Sequence, residues 1–362
     1  MDVHFNAYKV KFDTLNYFFK PIKDSHKIDS INIFINIDDV YHNLHRPLVN
    51  NEFQLDGINA NKRVISNVLN LLGHYKEWGS RQRAKVRVIG FYTSTLKGFK
   101  NRMYISEYRK RYSENNDPMN TKYYFINDAL KNSTELLKVM VNYIPDVYVI
   151  DSKYLEPSII PEYISENIFP SSWNILISRD TYDLQYSYKD KWTYISPKGD
   201  NSASINKGNL WYYLGLRENV DISKHSMAYP YSLYMISKAI VGDKYRNIPR
   251  LKRIGWKTLF KNLDSIDVEK NGISEINLIN KLIEVSKIPD NMIDALNDNL
   301  FSVDVCNQIT TLSELDEAII KEQILDIPDY ENLVEMNNIY FSKFPINLGF
   351  LISQYKKKTP FD

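Results

Sequence analysis

The chain has 362 residues, 43% hydrophobic and 25% charged, with a formal net charge of +2. This is the balance of a soluble globular protein, long enough for one large or two smaller domains. A single cysteine, Cys306, excludes an intrachain disulfide and a cysteine-based zinc cluster, and six histidines without HxH or HxxxH spacing argue against a histidine metal centre. No apolar run approaches the ~20 residues of a membrane span. The opening residues Met1 to Phe5 read as neither signal nor transit peptide. The expected location is a reducing cytoplasm, or a particle assembled there. The 27 tyrosines, with abundant Asn, Ile and Lys, fit an AT-rich coding sequence and carry little functional weight.

The small net charge hides an asymmetry. From Lys261 onward there are nine Lys against eighteen Asp and Glu, so residues 1–260 carry the positive excess. A basic body suits a polyanion partner, and an acidic tail suits self-shielding or docking of a protein.

In chain order, residues 1–30 show no clear period. Ile31 to Ile37 is a β-branched run and reads as a strand. It ends in Asp38-Asp39, at the carboxyl end of a buried strand, where an open α/β sheet places its site. One Asp facing a cleft and the other capping the next helix are both open readings. Asn61 to Tyr75 carries Val64, Ile65, Val68, Leu69, Leu71 and Leu72 at helical spacing. Lys85 to Tyr92 is a second strand. Next comes a basic segment, Lys97, Lys100, Arg102, Arg109, Lys110 and Arg111, interleaved with Phe99, Tyr104, Tyr108 and Tyr112. Cations can pair with phosphates while rings stack on bases; equally, tyrosines four apart can pack inward beneath a solvated face.

Asp117 to Asn120 reads as a loop and Asp128 to Asn142 as a helix. Val147 to Ile150 is strand-like. Glu156-Pro157 opens a helix, Pro being tolerated in a first turn. Trp173 to Ser178 is a strand, followed by the turn Arg179-Asp180-Thr181-Tyr182-Asp183-Leu184-Gln185. Trp192 to Ile195 reads as an edge strand. Strands alternating with helices give an α/β fold with a mainly parallel sheet. From residue 262 the pattern is helical, at Ser274–Ser286 and Leu312–Leu325, with prolines between. The expected division is therefore 1–263 and an acidic, mostly helical region 264–362.

Tyr231 to Ile240 is an apolar helix that Gly242 ends, glycine alone tolerating positive φ without steric cost. Pro249 pre-sets a turn, Ile254-Gly255 makes a second, and Lys257-Thr258 begins another helix. Helix, turn and helix form a hairpin with Lys252, Arg253 and Lys257 at its tip. It reads as a phosphate cradle built on backbone N–H groups and a helix N-terminus, or as an αα-corner with a solvated basic face.

A strand ending in Asp, a basic aromatic segment, an acidic turn and then this hairpin resemble, in that order, the structure-specific 5′-nuclease family. The family includes flap endonucleases, polymerase-linked 5′-exonucleases and phage ribonuclease H. The resemblance runs from about Ile31 to Leu263 and is nearest to the phage branch. It implies a PIN-like α/β domain with a basic helical arch and a helix–hairpin–helix. It also implies Mg²⁺ or Mn²⁺ held by carboxylates, because two such ions about 3.5–4 Å apart activate water and stabilise the leaving oxygen.

Carried over residue by residue, the resemblance makes Asp38, Glu156, Asp180 and Asp243 the catalytic candidates, with Asp39 and Asp183 as further metal ligands. DNA contacts fall on Lys97, Lys100, Arg102, Arg109, Lys110 and Arg111 of the arch. In the hairpin they fall on Gly242, Lys244, Lys252, Arg253, Gly255, Lys257 and Thr258. Other ligand positions are substituted: Thr93, Ser158, Ile159, Tyr182 and Arg246 stand where the family has carboxylates, Tyr182 unless the turn shifts by one residue to Asp183. Arg246 is expected to pair with Asp243 or a neighbour and take the place of a metal, since unit charges ~4 Å apart at an effective dielectric of 20 attract by about 4 kcal/mol.

The expectation is therefore a DNA-binding protein of 5′-3′ exonuclease and flap endonuclease ancestry with weakened or lost cleavage, bound to branched, nicked or 5′-ended DNA. Its setting would be phage-type replication, transcription or packaging, in host cytoplasm or associated with a virion, with a protein partner on the acidic region. The alternatives are an active Mg²⁺-dependent exonuclease or flap endonuclease, and a structural subunit of a viral assembly.

Overall fold

The computed structural model describes residues 8–25, 27–37, 40, 57–92, 137–138, 140–141, 144–152, 155, 157–217, 219–221, 231–243, 248–263, 275–307 and 314–325. Among these, six strands form one sheet: β1 (Ser30–Asn36), β2 (Lys85–Tyr92), β3 (Val147–Asp151), β4 (Trp173–Ile177), β5 (Trp192–Ser196) and β6 (Ala203–Ile205). Their spatial order is β3-β2-β1-β4-β5-β6. All neighbours pair in parallel except β5 and β6. The α/β class and mainly parallel sheet expected from the sequence are what forms.

β1 is buried along nearly its whole length, as a central parallel strand covered on both faces must be. Its period of two splits the core. Phe34 joins Ile89, Phe91, Ile150, Leu176 and Tyr194 on one face, while Ile33 and Ile35 join Val88, Val149, Ile175 and Ile177 on the other. The second face is covered by α1 (Phe12–Ser25) and α2 (Gly57–Ser80). Residues 1–30 had shown no period, yet Leu15 and Phe19 of α1 are buried against this core. Trp78 Nε1 donates to Asn16 Oδ1 at 3.0 Å, and Tyr75 OH donates to the Tyr8 carbonyl at 2.5 Å. α1 is thus held by α2, a long-range partner that no local pattern displays.

The first face carries the helices that follow β3, while the helical residues Leu137, Met140 and Val141 join the second face. Pro157–Ile159, α3 (Ile160–Tyr163) and Ile164–Ile168 form a helical segment that passes from 3₁₀ through α to π geometry. The helices α4 (Leu210–Arg217), α5 (Tyr231–Val241) and α6 (Trp256–Leu263) follow, then α7 (Glu275–Val285), α8 (Ile293–Asn307) and α9 (Glu314–Leu325). Leu282, Leu296, Val303 and Ile320 of the last three helices belong to the same apolar cluster as Phe34 and Leu176. Gln323 also brackets the end of β3, accepting from Asp151 N–H at 2.8 Å and donating to Asp151 O at 3.1 Å.

Two expectations change. β5 is interior, because the three-residue β6, too short to show alternation in sequence, takes the edge. α8 went unread because Asn and Asp interrupt its apolar spacing. Most of the helix expected over 128–142 and all of the basic segment 97–111 lie outside the described residues.

Candidate functional site

The chain winds from β1 outward through β2 and β3, then returns to place β4 on the other side of β1. The carboxyl ends of β1 and β4 therefore flank the point where the winding reverses, the place an open α/β sheet offers a ligand. Asn36 closes β1. Its Nδ2 donates to Asp183 Oδ2 at 3.1 Å, and Ser178 Oγ, just past β4, donates to the same oxygen at 2.5 Å. Asp183 is wholly buried, and its Oδ1 is enclosed without a hydrogen bond of good geometry. Burial pushes its pKa up to about 7, with the neighbouring Asp180 charge adding to the rise and the Ser178, Ser158 and Asn36 groups opposing it.

Asp180 is partly exposed. Its N–H donates to Ser178 Oγ at 3.0 Å, and its Oδ1 accepts from Tyr182 N–H at 2.9 Å, a side chain-to-backbone turn of the kind Asp favours. Tyr194 OH fixes the same loop from β5 by donating to Ser178 O at 2.7 Å. The acidic turn is thus held by hydrogen bonds at both ends, and it separates two carboxylates into different environments.

Asp243 comes from the far side, where α5 ends. It is buried, and Lys238 Nζ lies 3.2 Å from its Oδ2. The same ammonium donates to Thr181 Oγ1 at 2.9 Å and faces the rings of Tyr182 at 5.5 Å and Tyr234 at 5.8 Å. Tyr234 OH donates to Thr181 O at 2.6 Å. Lys238 therefore ties the hairpin's first helix to the acidic turn. Arg246, the cation expected beside Asp243, lies outside the described residues; Lys238 reaches Asp243 from inside α5.

The hairpin follows at once. Gly242 has φ +78°, and a Cβ there would stand 2.7 Å from Arg250 N and 2.8 Å from Ile248 O. Asp243 and Ile248 exchange both backbone hydrogen bonds, at 3.0 and 2.9 Å. The second turn lies at Lys252-Arg253 rather than at Ile254-Gly255, with Arg253 at φ 68°. Gly255 O instead accepts from Leu259 N–H at 2.9 Å and opens α6, which begins at Trp256. Lys252, Arg253, Lys257 and Thr258 are exposed together at this tip. The first N–H groups of α6 have no acceptor within the helix, so the exposed cations stand at a helix N-terminus.

Of the expected ligand set, Asp180, Asp183 and Asp243 are described, while Asp38, Asp39 and Glu156 lie outside the described residues, as do Thr93, Lys244 and the arch cations. At the substituted positions, Ser158, Ile159 and Tyr182 are all buried. Among the described residues no group of three His, Cys, Asp or Glu could hold a metal ion. Mg²⁺ demands oxygen ligands in near-octahedral array. Asp243 lies against an ammonium, Asp183 faces inward and Asp180 is partly exposed. With Asp38, Asp39 and Glu156 outside the described residues, the described carboxylates do not by themselves complete such an array.

No family model and no curated protein matches the chain. Among solved structures it is similar to a bacteriophage T5 flap endonuclease in a pseudo-enzyme–product complex with DNA and metal ions. The identity is 15% and the TM-score 0.45, over 81% of this chain and 98% of that one. It is similar to a mutant T5 5′-exonuclease at 16% identity and TM-score 0.42, with the same coverage. A T5 protein co-crystallised with metal ions matches at 15% and 0.44. Likeness at this level leaves the chemistry to the residues themselves.

Sequence reasoning missed Asn36, Ser178, Thr181 and Lys238. Lys238 had a legible signal: it is the sole charge in the apolar helix Tyr231–Val241. Asn36 and Ser178 had none, being ordinary polar residues at strand ends until β1 and β4 stand side by side.

Proposed function

We propose that the chain is a DNA-binding protein of 5′-nuclease ancestry whose cleavage chemistry is weakened or lost, acting on branched, nicked or 5′-ended DNA in a phage-type replication, transcription or packaging setting. The observation that carries this reading is the Lys238 ammonium, buried between Asp243, Thr181 and the rings of Tyr182 and Tyr234. An ammonium thus accompanies a carboxylate that the sequence resemblance assigns to a metal, and the place of a second acidic ligand falls on Tyr182 unless the turn shifts by one residue to Asp183. The binding half of the reading rests on the exposed cations of the hairpin tip, which are placed to neutralise phosphates. The acidic C-terminal helices suit a protein partner.

The second reading, an active Mg²⁺- or Mn²⁺-dependent exonuclease or flap endonuclease, draws on Asp180. It is partly exposed at the carboxyl end of β4 and already oriented by Ser178 and Tyr182. The two readings part on labelled 5′-flap and nicked duplexes with Mg²⁺ or Mn²⁺. The proposal expects retarded DNA that stays intact. Cleavage that vanishes in Asp180→Ala overturns it.

A further inference from the structure

We propose that Asn299, on α8 of the acidic C-terminal region, is the positioning residue of the DNA-contacting hairpin, so that the binding element includes a helix well beyond residue 263. This rests on the reading of the hairpin as a DNA contact. Asn299 is 2% exposed, and its single side-chain nitrogen donates to Ala239 O and to Pro249 O, both at 2.7 Å. Those carbonyls lie on opposite sides of the hairpin: Ala239 in the last turn of α5, Pro249 where the chain turns back.

The last carbonyls of a helix have no acceptor role within it and need donors from outside. Here Lys238 O takes Gly242 N–H at 2.9 Å, Ile240 O takes Leu251 N–H at 2.9 Å, and Ala239 O takes Asn299. Pro249 carries no N–H of its own, so its carbonyl is the handle by which its stretch can be held. Asn299 therefore completes the end of α5 and clamps the returning chain with the two hydrogens of one amide. The segment so clamped leads directly into Lys252, Arg253 and the N-terminus of α6. Aspartate at 299 has the same shape but no hydrogens to give, and would set a carboxylate against two carbonyl oxygens. Alanine would leave both carbonyls enclosed and unmet.

The test uses the full chain and its Asn299→Asp and Asn299→Ala variants, each studied well below its own melting temperature. Two readouts are taken: Kd for a plain duplex across a salt series, and hydrogen exchange at the Leu251 amide. Expected are duplex binding weakened about tenfold or more, a shallower salt dependence as phosphates go unneutralised, and faster exchange at Leu251. In a Lys252→Glu, Lys257→Glu background, followed at low salt where residual binding is measurable, the Asn299 change should cost less binding than it does in the unaltered chain. A lower melting temperature with unchanged Kd, salt slope and Leu251 exchange overturns the proposal and leaves Asn299 a core brace. If the unaltered chain binds no DNA, the function proposed above fails. Leu251 exchange then still decides whether Asn299 sets the hairpin.

Discussion

Lys238 and Asp243, five residues apart across the end of α5, form an ion pair with Nζ 3.2 Å from Oδ2, and both side chains are nearly sealed from water. Such a pair contributes little against an apolar substitute, but removing one partner strands a buried charge, at a cost of about 3–5 kcal/mol. Lys238→Met and Asp243→Asn are each expected to destabilise the fold by that order in urea titrations. The double variant should lose less than the two single losses together. Additive losses would show that the two charges do not depend on each other.

Asp183 gives stability a pH dependence of unusual sign for a carboxylate. Its folded pKa is raised from 3.8 to about 7. Between those values the unfolded chain has released the proton and the folded chain holds it. Stability from this group therefore falls as pH rises through that window, by about 1.4 kcal/mol per unit. Asp183→Asn keeps an oxygen to accept from Ser178 and Asn36 and removes the titration. It should raise the melting temperature at pH 7.5 and do little at pH 4; a gain of equal size at both would contradict the account.

Gly242→Ala faces two penalties at one position. Alanine at φ +78° is strained, and its Cβ meets the Arg250 and Ile248 backbones rather than a side chain that can move aside. A loss above about 1 kcal/mol is expected, and the two backbone hydrogen bonds between Asp243 and Ile248 should exchange faster. Chemical denaturation and amide exchange read these directly.

Lys252→Glu with Lys257→Glu reverses two exposed charges at the hairpin tip, where folding stability should change by no more than about 0.5 kcal/mol. Duplex binding should be abolished at moderate salt. Where residual binding can be followed at low salt, the slope of log K against log salt should fall by about 0.9 for each phosphate contact removed. Unchanged binding would make the hairpin a solvated corner.

Several features were legible because they are local. The β-branched run at Ile31, the strand at Lys85–Tyr92 and the helix stopped by Gly242 are written in the period and punctuation of a few consecutive residues. The order of these pieces was enough to place an acidic turn ahead of a basic hairpin. Asp180, Asp183 and Asp243 were named through the family resemblance that this order supports, and Lys252, Arg253 and Lys257 from the hairpin itself.

The environment of each group was decided only by the fold. Asp180 and Asp183 are three residues apart in one turn, yet one meets solvent and the other is sealed, because Asn36 arrives from a strand nearly 150 residues earlier. Asp243 is a ligand candidate in sequence and one half of an ion pair in space. Asn299 is an unremarked polar residue in an acidic region until α8 lies against the end of α5. Composition and periodicity set which segments become strands and helices, since backbone geometry repeats over neighbours. Burial, counter-charge and hydrogen-bond partners come from residues far apart in the chain, and these determine whether a carboxylate is free to hold a metal or is matched by the protein's own cation.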